Sequence, residues 1–151
     1  MLSRDAIADA IRNASGDGPA LVAFMTAGYP TRQHFATTLC AIANAADVIE
    51  IGVPFSDPMA DGMTIQRSSR VALEQGVTLD WILAELATLK NRLAAPLLLM
   101  SYLNPLLSYG LARLPADMRR AVAQEIAWPP KVGEGTTAIS TPRCLRSMTC
   151  L

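Results

Sequence analysis

"DVIEIGVPFSDPMADG", residues 47–62, decides how this chain is read. Val48, Ile49, Ile51 and Val53 form a short apolar, β-branched run that stops at a loop rich in Pro and Gly, the pattern of a strand buried on both faces. Glu50 stands inside that run. Strand alternation puts Val48, Glu50 and Gly52 on one side and Ile49, Ile51 and Val53 on the other. In parallel α/β folds, ligands sit beyond the carboxyl ends of the strands. Glu50 is close to that end and shares its side with a glycine, which leaves room beside it. An acid among apolar groups is desolvated, so its pKa rises. A carboxylate near neutrality can both take and give a proton, as general acid–base work requires. A second reading fits equally well: a structural Glu paired with a nearby Arg or backbone donor.

Two more acids follow in the loop. Asp61 leads into a helix beginning near residue 63, where it is either a helix-capping aspartate or a second acid carried over the mouth of the strands. Asp57, in an S-D-P turn, is a residue type that bonds its own backbone.

Working outward, residues 4–15 read as a helix with Ser3 as its cap and Ile7, Ala10, Ile11 and Ala14 on one face. "ALVAFMTAG", at about 20–26, is a second buried strand. Thr31 stands where it can cap a helix with Phe35, Thr38, Leu39 and Ile42 on its apolar face. After the loop come a helix over 63–75, ended by Gly76, and another over 79–93, capped by Thr78 and carrying Ile82, Leu86, Leu89 and Leu93 at helical spacing. "PLLLMSY", 96–102, is a third strand. "NPLLSYG" reads as a loop or short helical turn, and a helix starts near Pro115. The order is one helix and then strand–helix three times, which implies parallel βαβ units with right-handed crossovers. Periodicity alone does not choose between a doubly wound sheet and a barrel.

At 151 residues, with 17% charged and half apolar, the chain has enough material for one core. Thirteen basic residues balance thirteen acidic ones, so no charge excess points to nucleic acid or a membrane surface. No apolar run approaches the ~20 residues of a membrane span, and the N-terminal stretch does not read as a secretory signal. Three cysteines, Cys40, Cys144 and Cys150, suit reduced cytosolic thiols and a cytoplasmic protein. His34 is the sole histidine, so neither a His-rich metal site nor a Ser-His-Asp triad is expected. No phosphate-loop or dinucleotide fingerprint is present.

From about residue 121 the pattern is lost. "AVAQEIAWPPKVGEGTTAIS" has no sustained period, and Pro129 and Pro130 break any helix begun at 115. A fourth buried strand is due here and is missing. The division expected is a partial barrel domain over 1–120 and an irregular tail over 121–151, read either as a flexible extension or as the product of a lost reading frame.

Three segments carry a resemblance. "AFMTAGYP" (23–30), "IEIGVPFSDPMADGMTIQ" (49–66) and "LLLMSYLNPLLSYG" (97–110) resemble the first three strand–loop segments of the tryptophan synthase alpha subunit family, over residues 1–120. The resemblance implies a (β/α)8 barrel, here its N-terminal part. It implies cleavage of indole-3-glycerol phosphate to indole and glyceraldehyde 3-phosphate, with Glu50 and Asp61 as catalytic residues. Phe24, Ile65 and Tyr102 match positions lining the indole pocket, although ordinary core packing would explain them as well. A beta subunit holding pyridoxal phosphate is the implied partner, met through the loop bearing Asp57 and the segment at Asn104. The alpha subunit itself is expected to need no cofactor or metal.

Two departures stand against a complete enzyme. Met63 occupies a position where the family usually has Pro, which loosens the start of the following helix. An eight-stranded barrel takes ~250 residues, so the late loops that grip phosphate are missing. Weak or no activity is expected, together with association through uncovered edges. The competing readings are a non-catalytic fragment that only binds a beta-type partner, and a small α/β enzyme of different chemistry.

Overall fold

The computed structural model describes residues 3–14, 18–89, 92–121, 123–127 and 138–139. The elements are α1 (Ser3–Arg12), β1 (Val22–Thr26), a 3-10 turn (Arg32–His34) running into α2 (Phe35–Ala43), β2 (Val48–Gly52), α3 (Met63–Glu74), α4 (Leu79–Thr88), β3 (Leu97–Met100), α5 (Leu103–Tyr109), α6 (Leu114–Arg120), β4 (Ala123–Ala127) and β5 (Ala138–Ile139). The strands lie side by side in chain order. β1 pairs with β2, β2 with β3 and β3 with β4, all parallel, and β5 pairs antiparallel with β4. Strands added one after another on the same side are the order of a barrel; a doubly wound sheet would reverse direction at its first strand. The choice that periodicity left open is therefore made by the topology.

The three expected strand–helix units are present, and the sheet goes on beyond them. The strand read as missing is β4, at Ala123–Ala127. Its residues, AQEIA, have weak strand propensity and no clear period. Pairing with β3 supplies what local preference does not. Most of the remaining residues after 121 lie outside those described.

Alternation sorts the strands into two faces. Ile49, Ile51, Leu97 and Leu99 are fully buried and form one core with Phe35 and Leu39 of α2, Ile82 and Leu86 of α4, and Met118 of α6. The opposite face carries Phe24, Glu50 and Leu98, each only partly buried, and Val22, which is exposed.

Local chemistry explains the helix ends. Thr78 caps α4 as expected, its hydroxyl accepting from the Trp81 N–H at 3.2 Å. Thr31 does not cap in that way: its side chain bonds the His34 ring at 2.7 Å, and the chain makes a 3-10 turn before α2 begins at Phe35. α4 stops at Thr88, short of Leu93. α1 stops at Arg12, and the side chain of Ser3 lies outside those described. "NPLLSYG" belongs to a full helix, α5, and α6 carries its proline in the first turn.

The β1–α2 connection is fastened to the α3–α4 turn. The Arg32 backbone N–H bonds the Gln75 side-chain oxygen at 3.0 Å, and the Gln75 amide donates to the Pro30 carbonyl at 2.9 Å. The Arg32 guanidinium also lies over the Trp81 ring, 4.7 Å from its centre. Gly28, at φ 75°, sits so close to Val77 that an added Cβ would lie 2.4 Å from its methyl.

Candidate active site

A cavity of about 130 Å³ opens at the carboxyl ends of β1, β2 and β3. Its size is close to the ~150 Å³ of dry apolar cavities that hold one benzene ring. Phe24 and Thr26 reach it from β1, Gly52 and Val53 from β2, and Met100, Ser101 and Tyr102 from the end of β3. Asp61 comes from the loop, and Ile65 and Ser69 from α3. Four residues picked out in the sequence, Phe24, Asp61, Ile65 and Tyr102, thus share one hollow.

The loop that brings Asp61 here is held by its own backbone and by Tyr102. The Asp61 N–H bonds the Pro58 carbonyl at 3.0 Å, and the Met59 N–H bonds the Asp57 carbonyl at 2.9 Å. The Ala60 N–H donates to the Tyr102 hydroxyl at 3.0 Å. The Phe55 and Tyr102 rings pack with centres 5.1 Å apart. Gln66 reaches back from α3 to the Asp61 carbonyl at 2.8 Å. Gly62, not Asp61, stands at the N-cap of α3, with no side-chain bond. The capping reading of Asp61 is thereby set aside, and its carboxylate faces the cavity. Burial raises the Tyr102 pKa, and the neighbouring Asp61 carboxylate adds to the rise, so the phenol keeps its proton at neutral pH.

Glu50 sits one step below this hollow. It is in register with Phe24 on β1 and Leu98 on β3, half-buried, and not itself part of the cavity wall. Burial alone pushes its pKa up. Among the described residues no Arg or Lys forms an ion pair with it, which weighs against the paired structural reading. The room left beside it by Gly52 is filled by an aromatic ring: a Cβ on Gly52 would lie 2.6 Å from the tip of Phe24.

Asp57 and Asn104 both lie in exposed segments that follow the carboxyl ends of β2 and β3. The Ser56 hydroxyl donates to the Asp57 carboxylate, a contact between two side chains rather than the bond to backbone that the turn type suggests.

Sequence reading missed Thr26, Val53, Ser69, Met100 and Ser101 as wall residues. Strand parity could have found two of them, since Thr26 follows Phe24 by two and Met100 follows Leu98 by two. Ser69 depended on how α3 packs against β1, which no local pattern encodes. Among the described residues no cluster of three or more His, Cys, Asp or Glu could hold a metal, and no helix is long and apolar enough to cross a membrane.

Parallel strands in chain order, wrapped by helices and hollowed at their carboxyl ends, define the class: the N-terminal portion of a (β/α)8 barrel. The family model for the tryptophan synthase alpha chain matches residues 11–129, reaching through β4. The chain belongs to that family. It is 53% identical over 109 residues to the tryptophan synthase alpha chain of Nitratidesulfovibrio vulgaris Hildenborough, covering 71% of this chain and 42% of that one. It is 54% identical over 112 residues to the corresponding protein of Desulfovibrio desulfuricans, covering 73% and 44%. Among solved structures, tryptophan synthase from M. tuberculosis superposes with a TM-score of 0.75 at 28% identity, over 88% of this chain and 53% of that one. The chain therefore spans less than half the length of these curated relatives.

Proposed function

We propose that this chain carries the first part of a lyase site that cleaves indole-3-glycerol phosphate to indole and glyceraldehyde 3-phosphate. One observation carries the reading: Asp61, Phe24, Ile65 and Tyr102 gather round a single cavity at the carboxyl ends of β1–β3, with the desolvated Glu50 on the strand face below it.

The chemistry suits these groups. Breaking the bond between indole C3 and the glycerol chain needs a proton delivered to C3 and another removed from the adjacent hydroxyl as it becomes the aldehyde. Glu50 moves those protons, which is the work that a raised carboxyl pKa favours. Asp61 faces the indole N–H and stabilises the positive charge that gathers on the ring when C3 is protonated. Phe24, Ile65 and Met100 supply apolar walls for the ring. The site needs no metal or organic cofactor for these steps. The phosphate grip belongs to later strand–helix loops, so the chain alone turns over weakly or not at all. A soluble, cytoplasmic setting fits the small phosphorylated substrate.

The test is indole release from indole-3-glycerol phosphate by the purified chain, alone and with a separately supplied C-terminal portion of a relative. Restored turnover that falls ~10²- to 10⁴-fold in Glu50→Gln and in Asp61→Asn supports the proposal. Turnover indifferent to both substitutions overturns it.

A second reading has its own observation. Met59 on the loop and Met63 at the start of α3, 91% and 78% exposed, flank Asp61, and Asp57 and Asn104 are also exposed. Large apolar side chains held in water beside polar ones suit a protein partner. On this reading the chain binds a beta-type subunit, which would hold the pyridoxal phosphate, without catalysing anything itself. Binding of such a subunit without turnover under any complementation favours it.

A further inference from the structure

We propose that Met59 and Met63 form a peroxide-sensitive modification site: oxidation of their sulfurs turns the apolar rim beside Asp61 polar and switches off docking of a protein partner there. This rests on the partner-binding reading above and adds a means of controlling it.

Exposure singles these two residues out. Met59 is 91% and Met63 78% exposed, and neither belongs to the core cluster. The other methionines among the described residues are Met25 and Met118, both buried, and Met100, partly buried in the cavity wall. A peroxide in solution meets Met59 and Met63 directly. It meets Met25 and Met118 only when the fold opens. The family usually has Pro at position 63, so a thioether there departs from the common pattern.

The backbone beneath these side chains is fastened. Pro58 is buried. The Met59 N–H bonds the Asp57 carbonyl at 2.9 Å, and the Asp61 N–H bonds the Pro58 carbonyl at 3.0 Å. Tyr102 holds the Ala60 N–H, and Gln66 ties the Asp61 carbonyl to the first turn of α3. A held segment thus presents both thioethers to solvent on either side of Asp61.

The chemistry needs only a peroxide as oxidant. A methionine sulfur attacks one oxygen of hydrogen peroxide with a lone pair. The S–O bond forms as the O–O bond breaks, and the departing hydroxide takes the remaining peroxide proton and leaves as water. Sulfur is oxidised and the peroxide is reduced. The sulfoxide is polar, and sulfoxide reductases reverse it. An unbranched thioether packs adaptably against a partner. A sulfoxide oxygen buried in its place without a donor weakens binding by about tenfold or more.

The experiment treats the full chain with hydrogen peroxide and maps the oxidised peptides by mass spectrometry. Met59 and Met63 are expected to gain oxygen at least ~tenfold faster than Met25 and Met118. The oxidised chain should unfold at the same temperature as the native one, because neither side chain is part of the core. Its binding to the tryptophan synthase beta subunit of Desulfovibrio desulfuricans should be at least ~tenfold weaker, and methionine sulfoxide reductases should restore it. In the double variant Met59→Leu with Met63→Leu, whatever its starting affinity, peroxide should change binding by less than about twofold. Equal oxidation of exposed and buried methionines, or unaltered binding by the oxidised chain, overturns the proposal and leaves the docking reading standing. So does a lowered unfolding temperature, which traces the lost binding to the fold, or an equal loss in the double variant, which puts the sensitive group elsewhere. A native chain that fails to bind the subunit before oxidation removes the docking reading and the switch together.

Discussion

Gly52 and Phe24 set the size of the hollow between them. A Cβ at position 52 would stand 2.6 Å and 2.8 Å from the tip atoms of the Phe24 ring. That ring is the free end of a side chain, and it can swing into the open cavity. Gly52→Ala is therefore expected to cost about 1–3 kcal/mol of stability by overpacking and to abolish binding of a small aromatic. Thermal unfolding and an indole titration of the same sample check both parts. Glu50 makes a prediction about pH. Its folded-state pKa is raised above the ordinary value of about 4.5. The folded state thus binds the proton more tightly than the unfolded chain does. That contribution is fully present below the ordinary value and is lost as pH rises through the raised one. Glu50→Gln, which stays neutral, should melt above the native chain at pH 7–8 and close to it at pH 4. A native chain that melts higher than the variant at pH 8 would contradict burial as the cause.

At the level of single residues only Glu50 stood out, as an acid inside an apolar run; Asp61 read as readily as a helix cap, and Phe24, Ile65 and Tyr102 were picked out through the family resemblance alone. What stayed hidden was depth. Parity placed Glu50 on the same face as Gly52, but only the structure shows the Phe24 ring lying over that glycine and Asp61 entering from the loop.

Among the elements, most helix starts were easier to read than helix ends. Thr78 caps α4 because its hydroxyl meets the Trp81 N–H, and Thr78→Ala should cost about 1 kcal/mol, read as a lower midpoint in urea with an unchanged slope. Thr31, the same residue type in a similar local setting, gives its hydroxyl to His34 instead, so a capping motif in sequence does not guarantee the bond. α4 stops before Leu93 although the apolar spacing continues. β4 was the largest omission. AQEIA looks unremarkable alone and becomes a strand only through its ladder with β3, a long-range cause that leaves little local trace.

At the scale of the whole molecule, the sheet has one face packed by helices. The outer edge of β1 has no partner among the described residues, and Leu21 and Val22 at its start are 52% and 44% exposed. Apolar side chains beside free backbone donors and acceptors invite pairing with another chain. The purified protein should therefore sediment faster as its concentration rises through the micromolar range, and Val22→Lys, which charges that edge, should weaken the trend. A concentration-independent monomer would show that the edge is already covered. The α/β class was legible because three strand–helix units in a row leave few alternatives; the barrel came only through the family resemblance. The order of the strands was not legible from periodicity, since it depends on contacts between units.

The antiparallel β5 has a bearing on how the molecule could ever be made whole. It lies on β4 at Ile126 and Ala127, the border where a growing barrel would lay its next parallel strand. Ala138 and Ile139 thus act as an end-stop on that side, and any polypeptide that finishes the ring must first displace them.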